Sequence, residues 1–216
     1  MNVYSYIVAS DTGFAPNPFW GHCTLACCKP VIRRTASVGD WIVGLTPKHL
    51  GHRIVYVMKV AEKITMANYW RDKRYREKRP RMRQKNVLYR CGDNVYKPIS
   101  GGKFHQKPSM HSNKDGSENP TKKKRDLGGE YVLVSQIFSY FGVKAKKIPD
   151  EFSEIIPGRG HKRFKYDNKI LNTVDGKMIG KLIKHLDKLP RGILGNPRRW
   201  PDHDKSWKAL GINSCR

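Results

Sequence analysis

The chain has 216 residues, and its 43 Lys and Arg against 18 Asp and Glu leave a formal charge of +25. A chain of this length buries roughly 70% of its extended surface on folding. An apolar fraction of 38% with five tryptophans excludes a disordered polycation, so the excess charge sits on a folded surface that seeks polyanions, nucleic acid first.

No apolar run approaches the roughly 18 to 20 residues that a bilayer crossing needs. Ser5 interrupts the apolar opening Tyr4 to Ala9, so neither a membrane span nor a secretory leader is expected. The reading is a cytoplasmic protein with no membrane association and no obligate protein partner. Cys23, Cys27, Cys28, Cys91 and Cys215 contain no C-x-x-C pair, which points to reduced, mostly buried thiols. A metal held by Cys23, Cys27, Cys28 and His22 is the alternative; neither metal nor cofactor is expected.

In chain order, Val3 to Ser10 reads as a first strand and Gly39 to Leu45 as a second. Arg53 to Lys63 reads as a third, with Ile54, Tyr56, Met58 and Val60 on one face. Between the first two lies a loop, Asp11 to Gly21, stiffened by Pro16 and Pro18 and loaded with Phe14, Phe19 and Trp20. Thr65 offers an N-cap to a basic helix in which Met66, Tyr69, Trp70 and Lys73 recur at helical spacing until Arg79-Pro80 stops it. Val87 to Tyr89 and Asn94 to Tyr96 flank Gly92-Asp93 as a hairpin. Ser100 to Gly129, with Lys122-Lys123-Lys124-Arg125 inside it, reads as a long mobile loop. Tyr131 to Tyr140 resumes as a strand, and Met178, Ile179, Leu182, Ile183, Leu186 and Leu189 line one face of a helix that Pro190 ends. The sum is an α+β fold around a small twisted or closed sheet, with flanking helices and long basic loops. One domain spans residues 1–216, its core reaching to about 150 and a basic helical extension following from about 151. No G-x-G-x-x-G follows a strand and no Walker lysine loop occurs.

Residues 71–90 carry ten basic and two acidic side chains, or +8, against five and two, or +3, in residues 1–58. So dense a run predicts phosphate neutralisation and steep salt dependence, through Arg71, Arg74, Arg79, Arg81 and Arg83 with Lys73, Arg76, Lys78 and Lys85 beside them. Lys123 joins them, as do Arg159 and Lys162 in the segment Gly158 to Lys162, which is either a backbone N–H nest for one phosphate or a flexible basic loop.

Several motifs point to a family. They are Gly13-Phe14-Ala15-Pro16-Asn17-Pro18-Phe19-Trp20-Gly21, Cys23-Thr24-Leu25-Ala26, Ile32-Arg33-Arg34-Thr35, Gly39-Asp40-Trp41-Ile42-Val43-Gly44, Gly92-Asp93-Asn94-Val95-Tyr96, His111-Ser112 and Gly158-Arg159-Gly160-His161. Over most of its length the chain resembles the second nucleotide-modification-associated domain, found near phage and bacterial genes for DNA base modification and defence. Gly39-Asp40-Trp41 also resembles the opening of PUA and EVE domains, compact barrels that bind nucleic acid and in some members house a modified base, which implies a PUA-like small twisted barrel or sheet. Lys107-Pro108-Ser109-Met110 departs from the acidic residues the family leads one to expect before His111.

The resemblance implies DNA, phage DNA with modified bases in particular, as the partner. A protein that inspects a base within a duplex must extrude it and hold it between aromatic faces and polar groups. Phe19 and Trp20 suit stacking, Asn17 suits the Watson–Crick edge, and Asp11 and Ser112 complete the base-binding set; equally, Asn17 is a turn residue ahead of Pro18 and the aromatics are core. For cleavage of an N-glycosidic bond, Asp93 would stabilise the developing oxocarbenium ion or activate water, and Asn94, Tyr96 and His111 would position water or protonate the departing base. Against this, Gly-Asp-Asn is also turn chemistry, and His111 also fits a solvated loop. The expected function is thus a base-flipping DNA glycosylase of antiphage defence that leaves an abasic site. The alternatives are a non-catalytic reader of modified bases and an accessory enzyme of base hypermodification, such as a transferase or amidohydrolase. A zinc deaminase would need H-x-E and P-C-x-x-C, and neither occurs.

Overall fold

In the computed structural model, the structure describes residues 1–200 apart from 168 and 170. The described chain divides into two compact units, each drawn from three separate segments. The first comprises Met1–Ala9, Ala36–Ala61 and Ser135–Asn196, and the second takes Ser10–Thr35, Glu62–Val134 and the chain from Pro197. The described residues form eleven strands, β1 (Asn2–Ile7), β2 (Cys23–Leu25), β3 (Trp41–Leu45), β4 (Ile54–Lys59), β5 (Glu62–Thr65), β6 (Tyr96–Pro98), β7 (Phe104–Gln106), β8 (Tyr131–Ser135), β9 (Phe138–Tyr140), β10 (His161–Lys165) and β11 (Gly192–Ile193). Its α-helices are α1 (Pro30–Thr35), α2 (Met66–Arg71), α3 (Val87–Arg90), α4 (Pro120–Leu127) and α5 (Val174–Asp187).

The first unit is built on a six-stranded sheet in the order β10-β1-β3-β4-β9-β11. Parallel β1 and β3 lie in register from Val3–Trp41 to Ile7–Leu45, and antiparallel β3 and β4 continue the sheet. β3 is buried at every residue and β4 at all but its last, which is why both read as nearly unbroken apolar runs. α5, capped by the Thr173 hydroxyl, lays Ile179, Leu182 and Leu186 into a core with Val3, Trp41, Val57, Phe141 and Phe152. Gly39-Asp40-Trp41 starts β3 by a clasp: Asp40 Oδ1 accepts from the Asn2 backbone N–H at 2.6 Å and Oδ2 from that of Ser37 at 2.9 Å.

The second unit holds the three-stranded sheet β2-β8-β5 and the ribbon β6-β7. Its core gathers Phe14, Ala26, Cys27, Met66, Tyr69, Tyr75, Val95, Tyr96, Val132 and Val134. All sheets are open, so the fold is α+β as expected, but no closed barrel occurs among the described residues. The expected strand 131–140 is two strands, β8 and β9, belonging to different sheets. The helix expected to run to Arg79 ends at Arg71, because the Asp72 carboxylate accepts from the Arg74 backbone N–H and turns the chain into a 3-10 turn at Lys73–Tyr75. The expected hairpin about Gly92 is instead a helical turn, α3, followed by β6, whose partner is β7. Residues 100–129, expected as a loop, contain β7 and α4, the latter capped by the Asn119 side chain.

Candidate functional site

Two buried polar clusters occupy the second unit. The first gathers around Asp93. Asp93 is fully buried and both carboxylate oxygens are taken: Oδ1 accepts from the Tyr69 hydroxyl at 2.6 Å and Oδ2 from the Thr24 hydroxyl at 2.7 Å. Asn17, equally buried, pairs its backbone with Thr24 and donates its side-chain amide to Gly13 O and Cys91 O. Lys78 is fully buried as well. Its ammonium donates to Asn17 Oδ1 at 2.6 Å, Asn17 O at 3.1 Å and His22 O at 2.8 Å. Burial holds its pKa down to about 8, against the pull of Asp93, while burial pushes the Asp93 carboxyl up against the opposing field of Lys78 and the hydroxyl donors. Asn94 donates to Tyr69 O and Tyr75 O, and a Cβ at Gly92 would lie 2.2 Å from Lys78 O, so this turn packs directly on the Lys78 main chain. The Asn17 segment and the Asp93 turn are therefore neighbours, and each side chain spends its polar atoms on the fold.

The second cluster centres on Asp126, on the inner side of α4. Asp126 Oδ2 accepts from the Tyr96 hydroxyl at 2.8 Å and pairs with His111 Nδ1 at 2.5 Å, while Oδ1 accepts from the Cys28 backbone N–H at 2.8 Å. The opposite nitrogen of the imidazole, Nε2, lies 3.6 Å from Cys28 Sγ and 3.4 Å from an Arg125 guanidinium nitrogen, itself 3.7 Å from that sulfur. Burial works to lower the His111 pKa, but the hydrogen bonds to Asp126 and Cys28 and their charges outweigh it and the net direction is up. For Asp126, burial works upward and the His111 bond and charge prevail, so it stays ionised below the usual carboxylate range. The His111 ring stands edge-on to Phe14, with centroids 4.6 Å apart. Beneath the cluster, the fully buried Arg33 donates to Cys28 O at 2.8 Å, Tyr131 O at 2.8 Å and Asp126 O. Gly129 makes room for it, since a Cβ there would lie 2.3 Å from the guanidinium carbon.

Of the expected catalytic set, Asp93 and Asn94 belong to the first cluster, and His111 and Tyr96 converge on Asp126. His111 is 8% exposed, not a solvated loop residue. In the expected base-binding set, Asn17 lies in the first cluster. Phe19 is buried and stacks on Trp200 at 5.1 Å, and Trp20, with φ 57°, keeps partial exposure. Asp11 is buried and accepts from the backbone N–H groups of Arg198 and Arg199. Ser112 Oγ accepts from the Ser109 N–H and donates to Lys107 O.

Among the expected phosphate ligands, Arg71, Arg83 and Arg159 are exposed. Arg74 is clasped by Glu62 and Asp72, Arg81 by Glu77 and Lys123 by Glu118. Arg79 packs on the Trp70 ring at 4.1 Å and donates to its carbonyl, and Lys162 donates to Glu154 O. Lys78, counted into the basic run, is interior. Nothing in the sequence marks Asp126, Arg33 or Trp200 as site residues, and Cys28 is expected there only as a ligand of the alternative metal. Within reach of one metal ion, the described residues offer Cys27, His111 and Asp126 rather than a set with His22.

This is a basic α+β protein in which a buried carboxylate and imidazole stand in series with a partly exposed thiol. The chain belongs to the nucleotide modification associated domain 2 family, whose model matches residues 1–204, and is thereby tied to nucleotide modification and to association with nucleic acid. No curated protein and no solved structure matches it. No helix among the described residues is long and apolar enough to cross a membrane.

Proposed function

We propose that this protein binds DNA, takes a modified base out of the stack and acts on it beside His111, cleaving the N-glycosidic bond and leaving an abasic site. The observation that carries this reading is the His111–Asp126 pair: an ionised carboxylate and an imidazole of raised basicity, 2.5 Å apart. In this role the imidazolium protonates the departing base, Asp126 stabilises the imidazolium, Tyr96 fixes the carboxylate, and water completes the hydrolysis at the sugar. Asp93 then acts as architecture, holding the Asn17 segment, because neither of its oxygens is open to a sugar. Trp20, unlike buried Phe14 and Phe19, keeps surface on which a base can stack, a contact worth about 1 to 3 kcal/mol. Exposed Arg71, Arg83 and Lys124 on the same unit supply phosphate contacts.

The test is incubation with phage DNA bearing hypermodified bases and with unmodified DNA, followed by alkaline strand breakage for abasic sites and mass spectrometry for released base. Release is expected from modified DNA alone and is expected to vanish in His111→Ala. Tight binding with no change to the DNA would instead establish the non-catalytic reader. A second reading, favoured by Cys28 at the far nitrogen of His111, is reaction at a substituent of the base, which leaves the base on the strand.

A further inference from the structure

Cys28 differs from the other described cysteines in exposure and in backbone conformation. Cys23, Cys27 and Cys91 are buried, whereas Cys28 is partly exposed. Its backbone lies in the left-handed region, φ 59°, and Lys29 follows at 42°. That conformation is unfavourable for a non-glycine residue and persists only where the surroundings enforce it. Here they do: the Cys28 N–H donates to Asp126 Oδ1 and its carbonyl accepts from Arg33 Nε, each at 2.8 Å. The same carboxylate orients the His111 ring through its other oxygen, so Asp126 fixes both the main chain of the thiol and the imidazole facing it. Arg125 adds a cation 3.7 Å from the sulfur, where a thiolate and then an oxyanion would carry negative charge. A single metal ion suits the arrangement less well. Cys28 and Asp126 address opposite nitrogens of the ring, whereas ligands of one ion converge on one of them, and the Cys27 thiol is directed to Asp93 O at 3.6 Å.

We propose that Cys28 is a catalytic nucleophile with His111 as its base and Asp126 as the positioning residue for both, and that its substrate is an amide- or ester-linked acyl substituent on a modified base. The Cys28 thiol gives its proton to His111 Nε2 as sulfur attacks the acyl carbon. The bond from that carbon to the base nitrogen or oxygen breaks, and the imidazolium returns the proton to the departing atom, leaving a thioester on Cys28. Water, deprotonated by the same imidazole, then hydrolyses the thioester to a carboxylate and restores the thiol. Only the assignment of a base as the carrier rests on the function proposed above; the thiol chemistry does not.

The test has two parts. The whole protein is treated with iodoacetamide across pH, and separately with p-nitrophenyl acetate, and adducts are mapped by peptide mass spectrometry. Cys28 is expected to be the reactive site among the described cysteines. His111→Ala should slow its alkylation on the order of a hundredfold at pH 6.5. An acetyl adduct that forms on Cys28 and turns over, and is absent in Cys28→Ser, supports the proposal. A wild-type alkylation rate at Cys28 no faster than that of the urea-unfolded chain at the same pH overturns it without recourse to any variant, as does stoichiometric zinc binding that protects Cys28. The second part uses a duplex containing N4-acetylcytosine. Loss of the acetyl group with the base retained supports thiol catalysis against glycosidic cleavage. Base release that is unchanged in Cys28→Ser, with no deacetylation, keeps the glycosylase and overturns the thiol.

Discussion

A fully buried lysine ties down the Asn17 segment. Lys78 gives its donors to Asn17 and His22 and lends its charge to Asp93, so Lys78→Met leaves Asn17 Oδ1 and the Asn17 and His22 carbonyls without the ammonium and removes the cation near Asp93, whose oxygens keep the Tyr69 and Thr24 hydroxyls. A loss of about 3 to 5 kcal/mol is expected, measured by urea unfolding. Composition placed Lys78 among the phosphate ligands because density of charge along a chain says nothing of which side chain points inward. Asn17, Asp93, Asn94, Tyr96 and His111 were legible as polar residues in unusual settings, but their partners were not: Tyr96 and His111 meet Asp126, which the sequence hides within a lysine-rich stretch. That pair sets a pH dependence. Asp126 has a folded pKa below its unfolded value, so its contribution is present above about pH 4 and is lost as pH falls through the folded pKa. His111 has a raised folded pKa, so its contribution is full below about pH 6.5 and is lost as pH rises through the folded pKa. Stability attributable to the pair is therefore greatest between those limits. Thermal melts of His111→Gln should lose this maximum and converge on wild type at alkaline pH.

Elements with a two-sided or one-sided apolar pattern were readable, and those held by caps and ion pairs were not. β1, β3 and β4 announce themselves by their apolar runs, and α5 by its stripe of Ile179, Leu182 and Leu186 ended before Pro190. α4, with the sequence PTKKKRDL, has no such stripe. It forms because Asn119 caps it and because Asp126 turns inward to Cys28, Tyr96 and His111. The end of α4 is sensitive to crowding: Gly129→Ala places a methyl against the Arg33 guanidinium, which holds both Cys28 O and Asp126 O. A destabilisation of about 1 to 3 kcal/mol is expected, with iodoacetamide reactivity at Cys28 changing in the same variant.

At the scale of the molecule, +25 on 216 residues dictates long-range behaviour that no single contact sets. Affinity for DNA should fall steeply with salt, which fluorescence anisotropy at a series of KCl concentrations measures directly. Arg71→Gln and Arg83→Gln should each reduce the slope of log K against log salt by about 1. Arg74→Gln should change it less, because Arg74 is already committed to Glu62 and Asp72. The molecule's division was not legible at all. Each unit collects three distant stretches of chain, and a reading along the sequence sees boundaries only where composition shifts. Composition does shift at α4, whose outer lysines and inner aspartate occupy successive positions of one short helix. Strands of phosphate gathering over Lys122 and Lys124 would bring negative potential to the far side of the same turns that grip the His111 proton. Occupancy outside and protonation inside then become linked equilibria: bound DNA should make the imidazole more basic, a displacement that histidine NMR titrations with and without duplex would register.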